Sequence, residues 1–294
     1  MNALTRTIST EDGRKICILE AGQPEGIPVL VLRGTPQSKL LYRGWVEDAQ
    51  SRGIRLIGHE RPGYGSSTVQ RGRKVADAAH DVAAIARELG LNRLLIWGVS
   101  GGGPHALACA ALLPDLVAAA AVIASPAPYS AEGLDYFAGT SETNIALTRA
   151  ALKSREACAQ CVEADDLLRA TPETLAQALH SLLCPADAVV SAADFADFVV
   201  RSVQEGCGKS RDGWIDDEMA LVMPWGFELS QIRIPILLMH GGQDLMVPIS
   251  HAKWLADKIP RVETRLQPDD GHISLSVRRI PEVHAWLLKQ LRRL

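Results

Sequence analysis

A serine stands between glycines at Gly98-Val99-Ser100-Gly101-Gly102, directly after the apolar run Leu94-Leu95-Ile96-Trp97 and before Gly103-Pro104-His105-Ala106-Leu107-Ala108-Cys109-Ala110, whose composition is helical. The pattern reads as strand, sharp turn, helix. A turn this tight forces its central residue into strained backbone. It also brings positions 98 and 102 against the neighbouring strand and helix, where any side chain would collide, so glycine is needed there. Ser100 is thereby pushed clear of the sheet edge, its hydroxyl offered to a substrate above the positive end of the following helix. The chemistry open to it is nucleophilic attack. A serine hydroxyl is a weak nucleophile at neutral pH, so it needs a base within hydrogen-bond reach and a third group that holds the base in one tautomer.

Eight histidines compete for the role of base. His80, His105, His180, His251 and His284 fall in segments that read as helices, where a packed or solvated side chain is the simpler account. His59 and His240 end strands and lead into turns. His272 lies in Pro268-Asp269-Asp270-Gly271-His272-Ile273, a loop after the last strand-like segment. Among carboxylates, Asp244 follows a strand by a few residues. Asp269 and Asp270 are too near His272 in sequence to orient it from across the loop. Glu60 belongs to Glu60-Arg61-Pro62-Gly63-Tyr64-Gly65, where the glycines give a tight turn, and it stays open as an alternative acid.

The elements that must position these groups can be taken in chain order. Residues 5–9 and 15–20 alternate around Glu11-Asp12-Gly13 and predict a β-hairpin. Residues 28–33 form an apolar strand of the kind buried on both faces, ending in Arg33-Gly34-Thr35-Pro36. A helix over 38–52, a strand over 55–59 and an amphipathic helix over 75–89 stopped by Gly90 follow. After the serine turn come a helix to Leu113 and a strand over 116–123. This alternation specifies a parallel, doubly wound α/β sheet. Between 125 and about 230 strand-like runs nearly vanish, and 143–163, 172–183 and 186–204 read as helices, two of them with proline in the first turn. The alternation resumes with a strand over 234–240, a helix over 250–258 and a strand over 263–267. A helix over 281–294 closes the chain.

The serine turn resembles the nucleophile elbow of the α/β-hydrolase family, and the similarity extends over most of the chain. It implies an α/β-hydrolase core over 1–125 and 230–294, with a helical cap over 126–229. It implies a triad in the chain order Ser100, Asp244, His272, all emerging at one edge of the sheet. The loop at Arg33-Gly34-Thr35-Pro36 matches the family's His-Gly-x-Pro loop except that Arg33 replaces the histidine, which puts that loop's internal hydrogen bonding in question. Thr35 and Gly101 would supply the two N–H groups of an oxyanion hole. A serine nucleophile separates the chain from relatives that use aspartate, the haloalkane dehalogenases and epoxide hydrolases.

The expected reaction is acyl transfer to water on a small ester or lactone, a carboxylesterase-like activity requiring no cofactor and no metal. Cleavage of a carbon–carbon bond, or amidase or iminopeptidase activity, stays open on the same triad. An aminopeptidase relative would carry a His-Gly-Gly-Pro-Gly type loop, which Arg33-Gly34-Thr35-Pro36 does not match. A non-catalytic ligand-binding protein on the same fold is the alternative of another class. Tyr129, Tyr136, Phe137, Trp214, Met219, Met223, Trp225 and Phe227 either roof a substrate pocket or seal the cap to the core. Asp216-Asp217-Glu218 is most simply a solvated face or a helix start.

The remaining 294-residue composition narrows the partners. A 47% hydrophobic, 22% charged chain with net charge −3 has the balance of a globular enzyme and no basic surface for nucleic acid. The longest apolar run, 116–124, is far short of the ~20 residues that span a bilayer. The start Met1-Asn2-Ala3-Leu4-Thr5-Arg6 lacks the apolar core of a secretory signal, so a cytoplasmic location is expected. Six cysteines without a framework fit free thiols. Cys158-x-x-Cys161 lacks a second ligand pair and reads as two small hydrophobes on a helix. The expected partner is a small-molecule substrate, with no nucleic acid and no membrane, and with a homodimer left open.

Overall fold

Runs of valine, isoleucine, leucine and alanine with no polar face form the centre of one eight-stranded sheet. In the computed structural model, which describes residues 3–190 and 194–291, the strands are β1 (Leu4–Ser9), β2 (Lys15–Gly22), β3 (Ile27–Leu32), β4 (Ile54–His59), β5 (Leu94–Val99), β6 (Val117–Ile123), β7 (Ile236–Gly241) and β8 (Val262–Gln267). Their order is β1-β2-β4-β3-β5-β6-β7-β8. The hairpin β1–β2 and the β2–β4 pair are antiparallel, and every other neighbouring pair is parallel. Strands β5 and β6 lie in the middle and are buried at every position, whereas the edge strand β8 is largely exposed. This is the doubly wound, mostly parallel α/β sheet that the alternation predicts.

The helices are α1 (Arg43–Ser51), α2 (Ala78–Glu88), α3 (Gly102–Leu112), α4 (Glu142–Lys153), α5 (Arg155–Ala164), α6 (Leu175–Ala178), α7 (Pro185–Val190), α8 (Asp194–Cys207), α9 (Asp212–Val222), α10 (Ile249–Lys258) and α11 (His272–Leu291). Alternate residues of each central strand feed opposite cores, as the two-residue side-chain period requires. Val29, Val31, Leu95, Trp97 and Val99 pack with Trp45 of α1 and with Leu275, Val283 and Leu287 of α11. Leu30, Leu32, Leu94 and Ile96 face the other way, toward Val82 and Ile85 of α2, Leu107 of α3 and Leu255 of α10. Both faces of the sheet are therefore covered, which is why its strands carry no polar alternation.

Between β6 and β7 the described residues form helices joined by turns, with no strand, as expected, but the helices are shorter than the periodicity predicts. The expected helix over 143–163 is interrupted at Ser154, where extended backbone lets the side chain accept from Ala157 N–H at 3.1 Å and cap α5. The expected helix over 172–183 contracts to the single turn α6. The one over 186–204 becomes α7 and α8, with 191–193 outside the described residues, as are 292–294 of the closing helix. The first helix starts at Arg43 rather than at 38.

The largest departure is at the C-terminus. His272 does not lie in a loop but opens α11, which runs through Pro281. Burial of Leu275, Ile280, Val283 and Leu287 against the sheet outweighs the one backbone hydrogen bond that proline removes.

Candidate active site

Ser100 follows β5 in a left-handed conformation, φ 53°, and its N–H donates to the Ile123 carbonyl at 2.9 Å. A non-glycine residue held at positive φ is strained, and the surrounding close packing maintains it. A Cβ on Gly98 would lie 2.4 Å from the Gly102 carbonyl oxygen, and one on Gly102 would lie 2.0 Å from that of Leu32. Both glycines are thus fixed by backbone-to-backbone approach, as the sequence predicts. A second strained residue, Ala124 at φ 49°, ends the neighbouring strand β6.

His272 and Asp244 meet at the same end of the sheet. His272 Nδ1 and Asp244 Oδ2 are 2.7 Å apart. The other oxygen, Oδ1, accepts from Met246 N–H at 2.9 Å and Val247 N–H at 2.8 Å, so the turn after β7 fixes the carboxylate's orientation. With Nδ1–H donating to the acid, Nε2 is the free acceptor of a neutral ring. Burial alone would lower the His272 pKa, but the charge of Asp244 and its hydrogen bond outweigh it, and the pKa is raised above 6.5. His240 approaches Asp244 Oδ2 at 3.5 Å, but its Nε2–H donates to the Val247 carbonyl at 2.8 Å and burial lowers its pKa.

One further acid enters the site without any mark in the sequence. Asp187 of α7 is fully buried, and its carboxylate accepts from the backbone N–H groups of His272 at 3.0 Å, Ile273 at 3.0 Å and Ser274 at 2.7 Å. It caps α11 at its positive end, with a side chain supplied by another part of the chain. No local signal identifies it, because the usual cap precedes its helix by one residue.

Two adjoining cavities share Ser100. The larger, about 180 Å³, is lined by Thr35, Ser100, Gly101, Asn144, Trp214 and Glu218 among others. The smaller, about 120 Å³, is lined by Arg33, Thr35, Trp45, Ser100, Phe195 and His272 among others. Ser100 Oγ has no hydrogen-bond link to His272 or to any other group among the described residues. In enzymes such links often tighten only when substrate is bound.

Thr35 and Gly101 face each other closely: a Cβ on Gly101 would lie 3.4 Å from Thr35 N and 2.5 Å from its Oγ1. Neither backbone N–H donates to a protein acceptor among the described residues. His105 of α3 accounts for itself by hydrogen-bonding the Gly101 carbonyl at 2.8 Å.

The loop carrying Thr35 is held by a residue whose expected role is overturned. Asp217 is neither solvated nor at a helix start: it is fully buried inside α9. It accepts from Thr35 Oγ1 at 2.8 Å, Tyr64 Oη at 2.6 Å and Arg73 Nη2 at 2.7 Å, and forms a bidentate pair with Arg61. Burial alone would raise its pKa, but the charges of Arg61 and Arg73 hold it well below the ordinary 3.8. Asp216 is also buried and pairs with Arg155, while Glu218 lines the larger cavity and accepts from Trp214 Nε1 at 3.1 Å. Helical periodicity turns these three neighbours in three directions, which a run of acids read as one face conceals. Glu60 braces the turn after β4, pairing with Lys39 at 2.6 Å and accepting from Ser66 N–H at 2.9 Å, while the Arg61 side chain reaches Asp217 and the Arg33 carbonyl.

Of the eight aromatic and methionine residues expected near a pocket, Tyr136 and Trp214 line the larger cavity. The structure directs the others elsewhere. Trp225 and Phe227 stack at 5.9 Å and pack into the core beside α2 and α3. Tyr129 and Phe137 join Tyr136 in an aromatic group, Tyr129 and Met219 pack among the inserted helices, and Met223 is 55% exposed. Hydrophobic type alone does not say which side of a helix meets the cavity. Cys158 is buried and Cys161 half-buried on α5, both as free thiols.

Known proteins share this architecture. The family model described as alpha/beta hydrolase fold matches residues 27–278. The AB hydrolase superfamily protein YisY of Bacillus subtilis (strain 168) is 24% identical over 267 residues, covering 90% of this chain and 91% of that protein. The non-heme chloroperoxidase of Streptomyces lividans is 33% identical over 124 residues, so the match spans less than half of either chain, 42% and 45%. Among solved structures, a thermophilic esterase from Thermogutta terrifontis superposes with a TM-score of 0.71 at 20% identity, over 99% of each chain. No described helix is long and apolar enough to cross a membrane.

Proposed function

The chain belongs to the alpha/beta hydrolase fold family, and from that premise we propose that it is a serine hydrolase acting through an acyl-enzyme on a small ester or lactone, with Ser100, His272 and Asp244 as its triad. The observation that carries this reading is that strained Ser100 lines one cavity with His272, whose Nδ1 lies 2.7 Å from Asp244 Oδ2. His272 Nε2 takes the proton of the Ser100 hydroxyl as Oγ attacks the carbonyl carbon, and Asp244 stabilises the imidazolium formed. The N–H groups of Thr35 and Gly101 receive the developing oxyanion. Collapse of the tetrahedral species expels the alcohol, which takes the proton from His272. Water then repeats the sequence on the acyl-enzyme, releasing the acid.

In the same reading the helices between β6 and β7 form a cap over residues 126–229. They supply Asn144, Trp214 and Glu218 to the wall of the larger cavity. The test is covalent: a fluorophosphonate probe should label the protein at Ser100, found by peptide mass spectrometry. Ser100→Ala should abolish both labelling and turnover of 4-nitrophenyl acetate. An unlabelled, inactive protein that binds ligands in this cavity would overturn the proposal in favour of a non-catalytic binding role.

A further inference from the structure

Arg33 is 1% exposed, and no carboxylate among the described residues answers its charge. Its guanidinium carbon lies 4.5 Å from the Trp45 ring centroid and 4.9 Å from that of Phe198, and one terminal nitrogen donates to the Gln37 side chain. The other two nitrogens, Nε and Nη1, are buried without a partner among the described residues. The charge acting on it most strongly is that of Arg61, another cation. Burial, with Arg61, lowers its pKa to about 9, which still leaves it charged at neutral pH. A buried cation whose donors are unmet is costly to maintain, and such groups ordinarily have an anion or a full set of acceptors.

The surroundings indicate where an anion would sit. Arg33, Gln37 and Trp45 line the smaller cavity together with Ser100 and His272, and its wall has no aspartate or glutamate among the described residues. Its other walls include Val99, Leu179, Phe195 and Ile273, so it suits a short hydrocarbon ending in a negative group. A guanidinium with unmet N–H donors at Nε and Nη1 matches the oxygens of a carboxylate in charge and donor geometry.

We propose that Arg33 anchors a free carboxylate on the substrate in the smaller cavity, so that the preferred ester is anionic. The proposal rests on the serine hydrolase reading for the chemistry, but not for the binding. Hydrolysis would add water across the ester bond, the hydroxyl going to the acyl carbon and the proton to the alcohol oxygen, and the anchoring carboxylate would be unchanged.

Two measurements separate anchor from chemistry. Calorimetric titration of Ser100→Ala with monomethyl glutarate, whose acyl chain bears the charge, and with 4-acetoxybutyrate, whose alcohol bears it, should show one binding about tenfold to 100-fold more tightly than neutral methyl 5-methylhexanoate. The preference should collapse to near unity in Ser100→Ala/Arg33→Met and be partly kept in Ser100→Ala/Arg33→Lys. In the otherwise wild-type enzyme, kcat/KM for 4-nitrophenyl hydrogen glutarate against 4-nitrophenyl 5-methylhexanoate reads the acyl arm independently. If neither anion outbinds the neutral ester, or Arg33→Met keeps the preference, the guanidinium is structural and the proposal is wrong. The titrations of Ser100→Ala can overturn the proposal even if Arg33→Met does not fold. A protein that turns over no ester yet shows the preference would sink the hydrolase reading and leave the anchor standing.

Discussion

Asp187 and His272, 85 positions apart in the chain, are joined by a hydrogen bond in which His272 N–H donates to Asp187 Oδ2 at 3.0 Å. The same carboxylate takes the next two amides of α11, so the helix that begins at the proposed base is capped by a residue of α7. A helix N-terminus leaves its first amides without intrahelical acceptors, and a buried one must find them elsewhere. Here they lie on α7, so the backbone of His272 is held by a helix of the segment between β6 and β7.

Replacing Asp187 should therefore reach the chemistry as well as the fold. Asp187→Ala leaves buried amides unmet and should destabilise the protein by about 2 kcal/mol or more. In assays well below its melting temperature it should lower kcat by about 10- to 100-fold, with a smaller change in KM, because the base is misplaced rather than the substrate lost. Asp187→Asn, which keeps an acceptor oxygen, should retain part of both. Full kcat in Asp187→Ala would show that the cap does not position His272.

The pH profile follows from the sign of the His272 shift. In the proposed mechanism His272 must be neutral to take the serine proton, and Asp244 raises its pKa above 6.5. Activity should thus be complete at alkaline pH and fall as pH drops through a midpoint above that value. Asp244→Asn removes the charge but not the burial. The midpoint should move down, with kcat reduced by about 10⁴-fold because the tautomer is no longer fixed. A kcat/KM profile with its acidic limb unmoved in Asp244→Asn would contradict the pairing.

Asp217 anchors four donors at once, two of them buried arginines. Asp217→Ala should cost about 3–5 kcal/mol in urea unfolding, since it strands the Arg61 and Arg73 charges. Its folded pKa is depressed, so its contribution is present in full above the ordinary 3.8 and is lost as pH falls toward the folded value. The stability gap between wild type and Asp217→Asn should accordingly narrow in acid. A gap that widened in acid would mean that Asp217 is not held ionised by the arginines.

Backbone contact at the elbow gives the sharpest steric test. Gly102→Ala places a methyl 2.0 Å from the Leu32 carbonyl oxygen, and no side-chain rotation relieves it. The variant should lose about 3 kcal/mol of stability or fail to accumulate as folded protein. Gly72→Ala, at a positive-φ position with open space around it, should be far milder. Equal melting temperatures for Gly102→Ala and wild type would refute the close approach.

Taken alone, the sequence was enough to determine the central sheet and the glycine turn after β5, because each depends on local chemistry, whereas Asp244 and His272 were singled out through the resemblance to the α/β-hydrolase family. Apolar runs without polar alternation must be buried on both faces, and glycines at 98 and 102 must sit against backbone. What only the tertiary structure decided were contacts whose partners are remote in sequence. The cap of α11 by Asp187, the burial of Asp217 under Arg61 and Arg73, the isolation of Arg33 among aromatic rings and the choice of Tyr136 and Trp214 as cavity walls all belong here. Each depends on how the inserted helices rotate and dock, and that is set by packing of whole faces rather than by residue type. A buried charge advertises nothing in the sequence until the fold shows whether its partner arrives.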